Sequence, residues 1–210
     1  TAYEIRNCDW SSDVCSSDLT LPEEAPTTAS LSRGGRLYDR WWREAGLDDP
    51  EGDSAIWARQ DTNTRSGGDT WRCKECHGWD YLGVDGAYGP PSSHFTGIIG
   101  ILGATEPQEL FDILCDGTTG PTGTMTGYTE DQLSDDDKWD IVKFIKEGLI
   151  DDRDFIDSET NEPIDADLAN GKALYDSVCA ACHGLGGNAI EFHEGECMRE
   201  IADDNPVEFF

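Results

Sequence analysis

The sequence GKALYDSVCAACH, residues 171–183, contains the pattern from which the architecture of this chain can be predicted. It ends in a CxxCH motif, in which two cysteines three positions apart are followed directly by a histidine. A second such motif, CKECH, occupies residues 73–77. The Gly-x-x-Leu-Tyr-Asp pattern of residues 171–176 also occurs earlier, as GGRLYD at residues 34–39. The chain therefore contains an internal repeat, in which an amphipathic helix precedes each CxxCH motif.

A CxxCH motif has the geometry that covalent haem attachment requires. Two thiols on one helical turn reach the two vinyl groups, and the following imidazole binds the iron. Paired CxxC units could also hold zinc or form a redox dithiol. Neither alternative explains why a histidine follows twice, or why the same helix pattern precedes twice. We therefore predict two covalently attached haem c groups, held at Cys73, Cys76 and His77 and at Cys179, Cys182 and His183.

The two copies differ in the length between helix and motif. Cys179 lies three positions after Asp176, whereas 34 positions separate Asp39 from Cys73. The first copy therefore carries an insert, residues 41–71, which is rich in Gly, Asp and Trp. We expect this insert to cover an edge of the first haem, with Trp71 and Trp79 packed on the macrocycle.

Helix start and stop signals predict two further helices after the first motif. Pro107 opens one helix, which Gly117 ends, and Cys115 lies on it. Ser134 and Asp137 form a capping box for the next, which ends near Gly148. Residues 118–127, rich in Thr and Gly, are expected to form a loop between them. The predicted fold class is all-α.

Composition excludes some functions. Forty-four acidic and fifteen basic residues among 210 give a formal charge of −29, which argues against nucleic acid as a partner. Such a field favours partners with basic patches, although it is also what a well-solvated acidic surface produces. The sequence has no run of about eighteen apolar residues, as a transmembrane helix would need. Membrane association is left open.

The amino-terminal segment is predicted not to be native. Residues 9–19, DWSSDVCSSDL, match one reading frame of a common short-read sequencing adapter. Such a segment carries no functional information. The expected division of the chain is an adapter translation at 1–19, a linker at 20–30, a first domain at 31–150, an acidic linker at 151–166, and a second domain at 167–210 that is truncated at its carboxyl end.

The two CxxCH motifs and their helices resemble the class I cytochrome c family. The resemblance covers residues 31–149 and, incompletely, 167–210. It implies two tandem cytochrome c-like domains that transfer electrons to and from redox partner proteins. It also implies export, with the periplasm as the expected location, because thioether attachment takes place outside the bacterial inner membrane.

The resemblance also implies ligands. In the family a proline carbonyl accepts a hydrogen bond from the haem histidine, and Pro90 of Gly89-Pro90 is the residue expected to do so for His77. Met125 is the expected distal ligand, although Thr126 follows it where the family usually has proline. A thioether ligand favours ferrous iron and so raises the reduction potential. His94 is the competing ligand.

Other assignments stay open. His193 and Met198 lie too soon after the second motif for the family's distal ligand, which is expected beyond Phe210. Cys115 and Cys197 are treated as isolated thiols, because their spacing does not support a disulfide. The alternative function is a haem enzyme, or a cytochrome subunit of a larger dehydrogenase, that acts on a sulfur compound or peroxide at an accessible distal side. A non-redox zinc module is the third hypothesis.

Overall fold

The helical part of the molecule follows the capping signals of the sequence. The structure is a computed structural model that describes residues 5–8, 15–19, 26, 28–90, 92–101, 106–120, 123–149, 154–157, 160, 162–192 and 195–204. Its helices are α1 (Leu31–Glu44), α2 (Cys73–His77), α3 (Pro107–Asp116), α4 (Asp135–Glu147), α5 (Leu168–Leu174), α6 (Ala180–His183) and α7 (Met198–Asp204). A π-helical turn, Tyr175–Cys179, joins α5 to α6.

The packing of α1 against α4 forms the centre of the first copy. Ser30 caps α1, and its hydroxyl accepts a hydrogen bond from the backbone N–H of Arg33 at 3.3 Å. The predicted capping box of Ser134 and Asp137 is present at the start of α4. The buried core residues lie mainly on α1, α3 and α4: Leu37, Trp41, Trp42, Leu110, Leu114, Leu133, Ile141 and Val142.

A glycine sets the distance between α1 and α4. A Cβ atom at Gly34 would overlap the carbonyl oxygen of Asp140 and lie 2.8 Å from the Cβ of Phe144. The two helices therefore approach closely enough for backbone contact. Arg33 on α1 forms ion pairs with Asp140, at 2.9 Å, and with Asp137. These pairs fix the rotation of α1 about its axis.

The segment after α3 differs from the prediction. Gly117 ends α3 with a φ of 72°, as expected. The following residues are not a loop but an antiparallel hairpin, β3 (Gly117–Gly120) and β4 (Gly123–Thr126). Met125 lies opposite Thr118 in this hairpin. The fold is mostly helical, but all-α is wrong for this segment, because paired Thr and Gly backbones satisfy their hydrogen bonds across the two strands.

The insert is folded. It contains two 3₁₀ turns, Ala55–Arg59 and Gly67–Trp71. The indole N–H of Trp57 donates to the carbonyl of Arg65 at 3.0 Å, and that of Trp71 donates to the carbonyl of Gly52 at 2.9 Å. Hydrogen bonds between side chains and backbone thus take the place of long helices here.

The second copy begins as the first does. Asp167 caps α5 and accepts a hydrogen bond from the backbone N–H of Asn170 at 3.0 Å, at the positions equivalent to Ser30 and Arg33. Near the amino terminus, strands β1 (Ile5–Cys8) and β2 (Cys15–Leu19), which precede β3 and β4 in the chain, pair antiparallel. That this segment is an adapter translation stays a prediction. None of the helices described is long and apolar enough to span a membrane.

Candidate haem-binding site

The first CxxCH motif is a single helical turn whose carboxyl end is held by hydrogen bonds. α2 ends at Gly78, whose φ of 73° is accessible mainly to glycine. The carbonyl of Gly78 accepts a hydrogen bond from the buried hydroxyl of Tyr38 at 2.7 Å. The carbonyl of His77 accepts one from the N–H of Gly83 at 2.9 Å. The turn is therefore fixed to α1 and to the chain that follows it.

Both cysteines, His77 and the predicted distal methionine line one cavity. Its volume is about 440 Å³. Most of its lining is apolar, which suits the face of a flat macrocycle. The walls come from α2, α3, the β3–β4 hairpin, the insert and residues 98–101: Cys73, Cys76, His77, Leu110, Ile113, Thr118, Met125, Tyr128, Ile56, Trp71, Ile98 and Ile99 among others. The donor set fits a haem: the two cysteines could hold it by thioether bonds, and His77 and Met125 would be the candidate iron ligands.

The carbonyl at the outer nitrogen of His77 is not the expected one. Nδ1 of His77 lies 3.1 Å from the carbonyl oxygen of Ile99, which can only accept, so Nδ1 carries the proton. Pro90 is exposed in a turn, and its assignment is wrong. The reason is the antiparallel bridge between Gly83 and Ile99, which carries the chain back to the imidazole only after the Gly89-Pro90 turn.

The tautomer suits metal ligation. Burial lowers the pKa of His77, and the hydrogen bond to Ile99 partly counters this effect. The ring is thus held neutral near pH 7, with Nε2 available to an iron. The same hydrogen bond orients the imidazole and increases its donor strength.

The thiols do not suit the alternative chemistries. Burial raises the pKa of both Cys73 and Cys76 to about 12, whereas redox dithiols have a lowered pKa. Tyr128 lines the same cavity as both cysteines. Within the described part of the chain, no three side chains of His, Cys, Asp or Glu cluster as they would around a zinc ion. The geometry disfavours both the dithiol and the zinc hypotheses.

A buried carboxylate lies inside the first motif, and the sequence did not single it out. Glu75 is 0% exposed, and its Oε1 accepts hydrogen bonds from Asn63 Nδ2 at 2.7 Å and from His94 Nδ1 at 3.1 Å. Arg65 Nε lies 3.4 Å away. Burial would raise the pKa of Glu75, but the hydrogen bond from His94 and the charges of His94, Arg65 and Lys74 outweigh it and lower the pKa to about 2. Glu75 ties the insert to the attachment turn.

The structure does not place His94 at the cavity. Its ring is stacked on Tyr88, with centroids 4.4 Å apart, and its Nε2 lies 3.2 Å from Arg65 Nη2. With Nδ1 on Glu75, both ring nitrogens have protein partners. His94 does not line the cavity. Its position is that of a buried structural histidine rather than of an iron ligand.

The tryptophans that flank the motif have different positions. Trp71 lines the cavity together with Ile56 of the insert, as expected. Trp79 does not line it; its ring packs against Tyr38, at 5.7 Å, and Phe144, at 6.3 Å. The expectation for Trp79 is wrong because this residue faces the α1–α4 contact.

The second motif has the same local backbone contacts as the first. The hydroxyl of Tyr175 donates to the carbonyl of Gly184 at 2.7 Å, as Tyr38 does to Gly78. The N–H of Ala189 donates to the carbonyl of His183 at 2.9 Å, six positions on, as Gly83 does to His77. The predicted repeat is therefore also a repeat of hydrogen bonds. The tyrosine stood in the repeated pattern, but its role was not predicted.

The surroundings of the second motif are less complete. Nδ1 of His183 is buried and has no hydrogen-bond partner among the described residues. The ring of Phe192 lies 6.0 Å from the imidazole, and Cys182 is exposed. Met198 begins α7 and is half-buried, whereas His193 falls outside the described residues. Cys115 and Cys197 are both free thiols, as expected.

Fold and site together define a class I c-type cytochrome. The sequence model of one family matches residues 63–145 and 166–204, which contain both CxxCH motifs. The chain belongs to that family, cytochrome c oxidase, cbb3-type, subunit III. Membership implies covalently bound haem c and haem-based electron transfer. No curated protein and no solved structure matches the chain.

Proposed function

We propose that this chain is a two-haem electron carrier, with haem c attached at Cys73 and Cys76 and at Cys179 and Cys182. His77 and His183 are the proximal ligands. The observation that carries the proposal is the single cavity lined by Cys73, Cys76, His77 and Met125. A haem bound there supplies a one-electron couple between ferrous and ferric iron.

Met125 is proposed as the distal ligand of the first haem. Strand β4 carries it and pairs with β3, so its backbone position is fixed by the register with Thr118. On the proximal side, the carbonyl of Ile99 orients His77. With His77 and Met125 both holding the iron, the chain would leave no position there for a substrate. The arrangement suits electron transfer better than the alternative of a haem enzyme.

A second haem is supported by the repeated contacts at His183. Each copy has the tyrosine bond to the glycine after the histidine, and the bond from the residue six positions after it. The family match is interrupted between residues 145 and 166, close to the predicted acidic linker at 151–166. These observations favour two domains, 31–150 and 167–210.

The proposed partners are redox proteins. The matching family is described as a subunit of an oxidase, so we propose that this chain exchanges electrons with other proteins, within or beside such a complex. A formal charge of −29 favours partners with basic docking patches and disfavours nucleic acid. Export to the periplasm is proposed because haem c is attached there in bacteria.

The number of haems can be counted directly. We expect the haem-loaded chain to give two haems per polypeptide in a pyridine haemochrome assay, with protein measured by amino-acid analysis. Replacing Cys73 and Cys76 by alanine should leave one, and so should replacing Cys179 and Cys182. A chain that starts with one haem, or that keeps its haem count after the second double substitution, would contradict the two-haem proposal.

Carbon monoxide distinguishes the carrier from the enzyme. We expect the reduced protein to bind it slowly at the first haem, and the Met125→Ala variant to bind it at least tenfold faster. A second-motif variant, Cys179→Ala with Cys182→Ala, serves as the background, so that only the first haem is observed. Rapid binding before Met125 is changed would show an accessible distal side and would favour the enzyme.

A further inference from the structure

One short segment of the insert contacts three different walls of the haem cavity. This segment, residues 59–65, which we call the strap, begins at the last residue of the 3₁₀ turn Ala55–Arg59. It reaches the attachment turn α2, the chain that leads to Ile99, and the hairpin that carries Met125. The first two walls lie on the side of His77, and the third carries the proposed distal ligand. The strap therefore connects the two sides of the cavity.

Asn63 connects the strap to the attachment turn. Its side chain is 4% exposed, and its Nδ2 donates to Oε1 of Glu75 at 2.7 Å. Its Oδ1 accepts a hydrogen bond from the backbone N–H of Arg65 at 3.1 Å. The nitrogen and the oxygen of this buried amide thus both have partners, which fixes the orientation of the amide. Because Glu75 lies between Cys73 and Cys76, the strap is fixed next to both attachment thiols.

The strap also holds the chain that orients His77. The hydroxyl of Thr62 donates to the carbonyl of Phe95 at 2.9 Å, and Nη2 of Arg65 lies 3.2 Å from Nε2 of His94. Four residues after Phe95, the carbonyl of Ile99 accepts the hydrogen bond from Nδ1 of His77. The strap is therefore bound to the start of the segment whose end holds the imidazole.

On the opposite side, Arg59 lies against the hairpin. A Cβ atom at Gly123 would overlap Nη1 of Arg59 and would lie 2.9 Å from its Cζ, so the guanidinium packs on the backbone where β4 begins. The 3₁₀ turn packs against β4, and Ile56 of this turn lines the cavity together with Met125. Met125 lies two residues after Gly123, so the contact is close to the proposed ligand.

A side chain makes the strap rigid between these contacts. Oε1 of Gln60 accepts hydrogen bonds from the backbone N–H groups of Thr62, at 2.9 Å, and Asn63, at 2.7 Å. Nε2 of Gln60 donates to the carbonyl of Asn63 at 2.9 Å. Gln60 follows Arg59 directly, so these three bonds close the turn between Arg59 and Asn63. A displacement at Asn63 is therefore transmitted to Arg59 and is not absorbed within the turn.

We propose that Asn63 is a positioning residue for the distal methionine. Its bond to Glu75 fixes the strap to the attachment turn, and the strap holds β4 where Met125 can reach an iron bound by His77. Neither Asn63 nor Gln60 lines the cavity, so both act through the contacts of the strap. The inference rests on the proposed ligation by Met125 and deepens it, because it assigns the placement of this ligand to the insert.

Two measurements on the haem-loaded chain test the inference. Carbon monoxide binding to the reduced first haem is followed in the background of Cys179→Ala with Cys182→Ala, and native-state hydrogen exchange is followed at residues 123–126. We expect Asn63→Ala to speed carbon monoxide binding at least threefold and exchange at these residues at least tenfold. The reason is that β4 loses its connection to the attachment turn.

A second variant breaks the strap at another point. Gln60→Ala removes the three bonds that close the turn and leaves the side chain of Asn63 in place. We expect it to change both measurements in the same direction as Asn63→Ala does. Because Gln60 is only half-buried, this variant also serves if Asn63→Ala does not fold.

A matched control lies in the same insert but outside the strap. The indole N–H of Trp42 donates to Oδ1 of Asp49 at 2.8 Å, a bond of nearly the same length as that between Asn63 and Glu75. Asp49→Ala removes this bond between the insert and α1. We expect it to leave carbon monoxide binding and exchange at residues 123–126 unchanged, because β4 is not held through it.

The outcomes separate this inference from the function on which it rests. Rapid carbon monoxide binding to the unmodified protein would overturn the ligation by Met125, and the inference with it. Slow binding that neither Asn63→Ala nor Gln60→Ala accelerates would overturn the inference alone. Unchanged exchange at residues 123–126 in both variants, or an equal acceleration by Asp49→Ala, would also overturn it, because the strap would then not hold β4.

Discussion

The two copies of the repeat have the same hydrogen bonds around the histidine of the CxxCH motif, but the helix before the motif is buried to very different extents. Tyr38 and Tyr175 both donate to the glycine carbonyl after the CxxCH motif. Leu37 is nevertheless completely buried, whereas its equivalent Leu174 is 58% exposed. The attachment turn is therefore determined by nearby sequence, and the burial of its helix by elements that lie far away in the chain.

The largest expected difference between the copies is in how Gly34→Ala and Gly171→Ala change the free energy of unfolding. A methyl group at Gly34 would push against the backbone of α4, and we expect a loss of about 3 kcal/mol in the free energy of unfolding. At Gly171 nothing opposes the methyl group, and the higher helix propensity of alanine should stabilise α5 by up to about 1 kcal/mol. Native-state hydrogen exchange would resolve the two helices separately.

The sign difference is the decisive result, because both substitutions are chemically identical. The unmodified protein and Ala173→Gly, an exposed position on α5, serve as references for propensity alone. If alanine at Gly34 and at Gly171 lowered the free energy of unfolding equally, α5 would have to be covered in solution by something that reaches Gly171. That outcome would remove the contrast in burial between the copies.

A smaller difference between the copies is expected in how much stability each loses at low pH. Glu75 in the first motif corresponds to Ala181 in the second, so only the first copy has the buried carboxylate. Its folded pKa of about 2 lies below its ordinary value of 4.5, so the stabilisation is complete above pH 4.5 and is lost as the pH falls towards 2. We expect a loss of about 2 kcal/mol over this window, less than the whole shift, because the partly exposed Arg65 is screened by solvent.

Tryptophan fluorescence can measure this loss. Six tryptophans lie between residues 41 and 139, and a haem close to them quenches their emission until the first copy unfolds. Urea unfolding would be compared at pH 7 and pH 3 for the protein and for Glu75→Gln, which cannot titrate. The pH dependence should be weaker in the variant. The same slope in both proteins would assign the acid sensitivity to other groups.

The smallest expected difference is in the stability cost of removing the tyrosine hydroxyl at the equivalent positions Tyr38 and Tyr175. Tyr38→Phe leaves the buried carbonyl of Gly78 without its donor, and we expect a cost of about 1 kcal/mol. Tyr175 is half-buried, so water can replace its hydroxyl, and Tyr175→Phe should cost less than about 0.5 kcal/mol. Thermal unfolding followed by hydrogen exchange at each attachment turn would test both values. A larger cost at Tyr175 would show that the second turn is as closed as the first.

Features with local signals were predicted correctly. Three such features depend on residues that lie within a few positions of one another. They are the start of α3 at Pro107 and its end at Gly117, the capping box of Ser134 and Asp137, and the repeated helix before each motif. The placement of Met125 among the cavity residues agrees with the prediction as well, although its ligation stays a prediction. Backbone geometry of this kind is encoded over four or five residues.

Features that depend on distant pairing were missed. The β3–β4 hairpin lacks the alternation of apolar and polar residues that marks a strand, because it is built from Thr and Gly around Met125. The bonds from Asn63 and His94 to Glu75 join three segments that no local pattern relates. The resemblance to the family predicts that the carbonyl of Pro90 accepts the hydrogen bond from His77. In the structure the bridge between Gly83 and Ile99 brings the carbonyl of Ile99 to Nδ1 of His77 instead.

The acceptor for His77 is a main-chain oxygen, which has a consequence for how such proteins change over evolution. Every amino acid at position 99 would offer the same carbonyl, so selection there acts on the path of the chain and not on a side chain. Relatives can therefore lose any recognisable residue at this position and still hold the imidazole. What they must retain is the return of the chain past Gly83, where an added Cβ would overlap the backbone of residues 98–100.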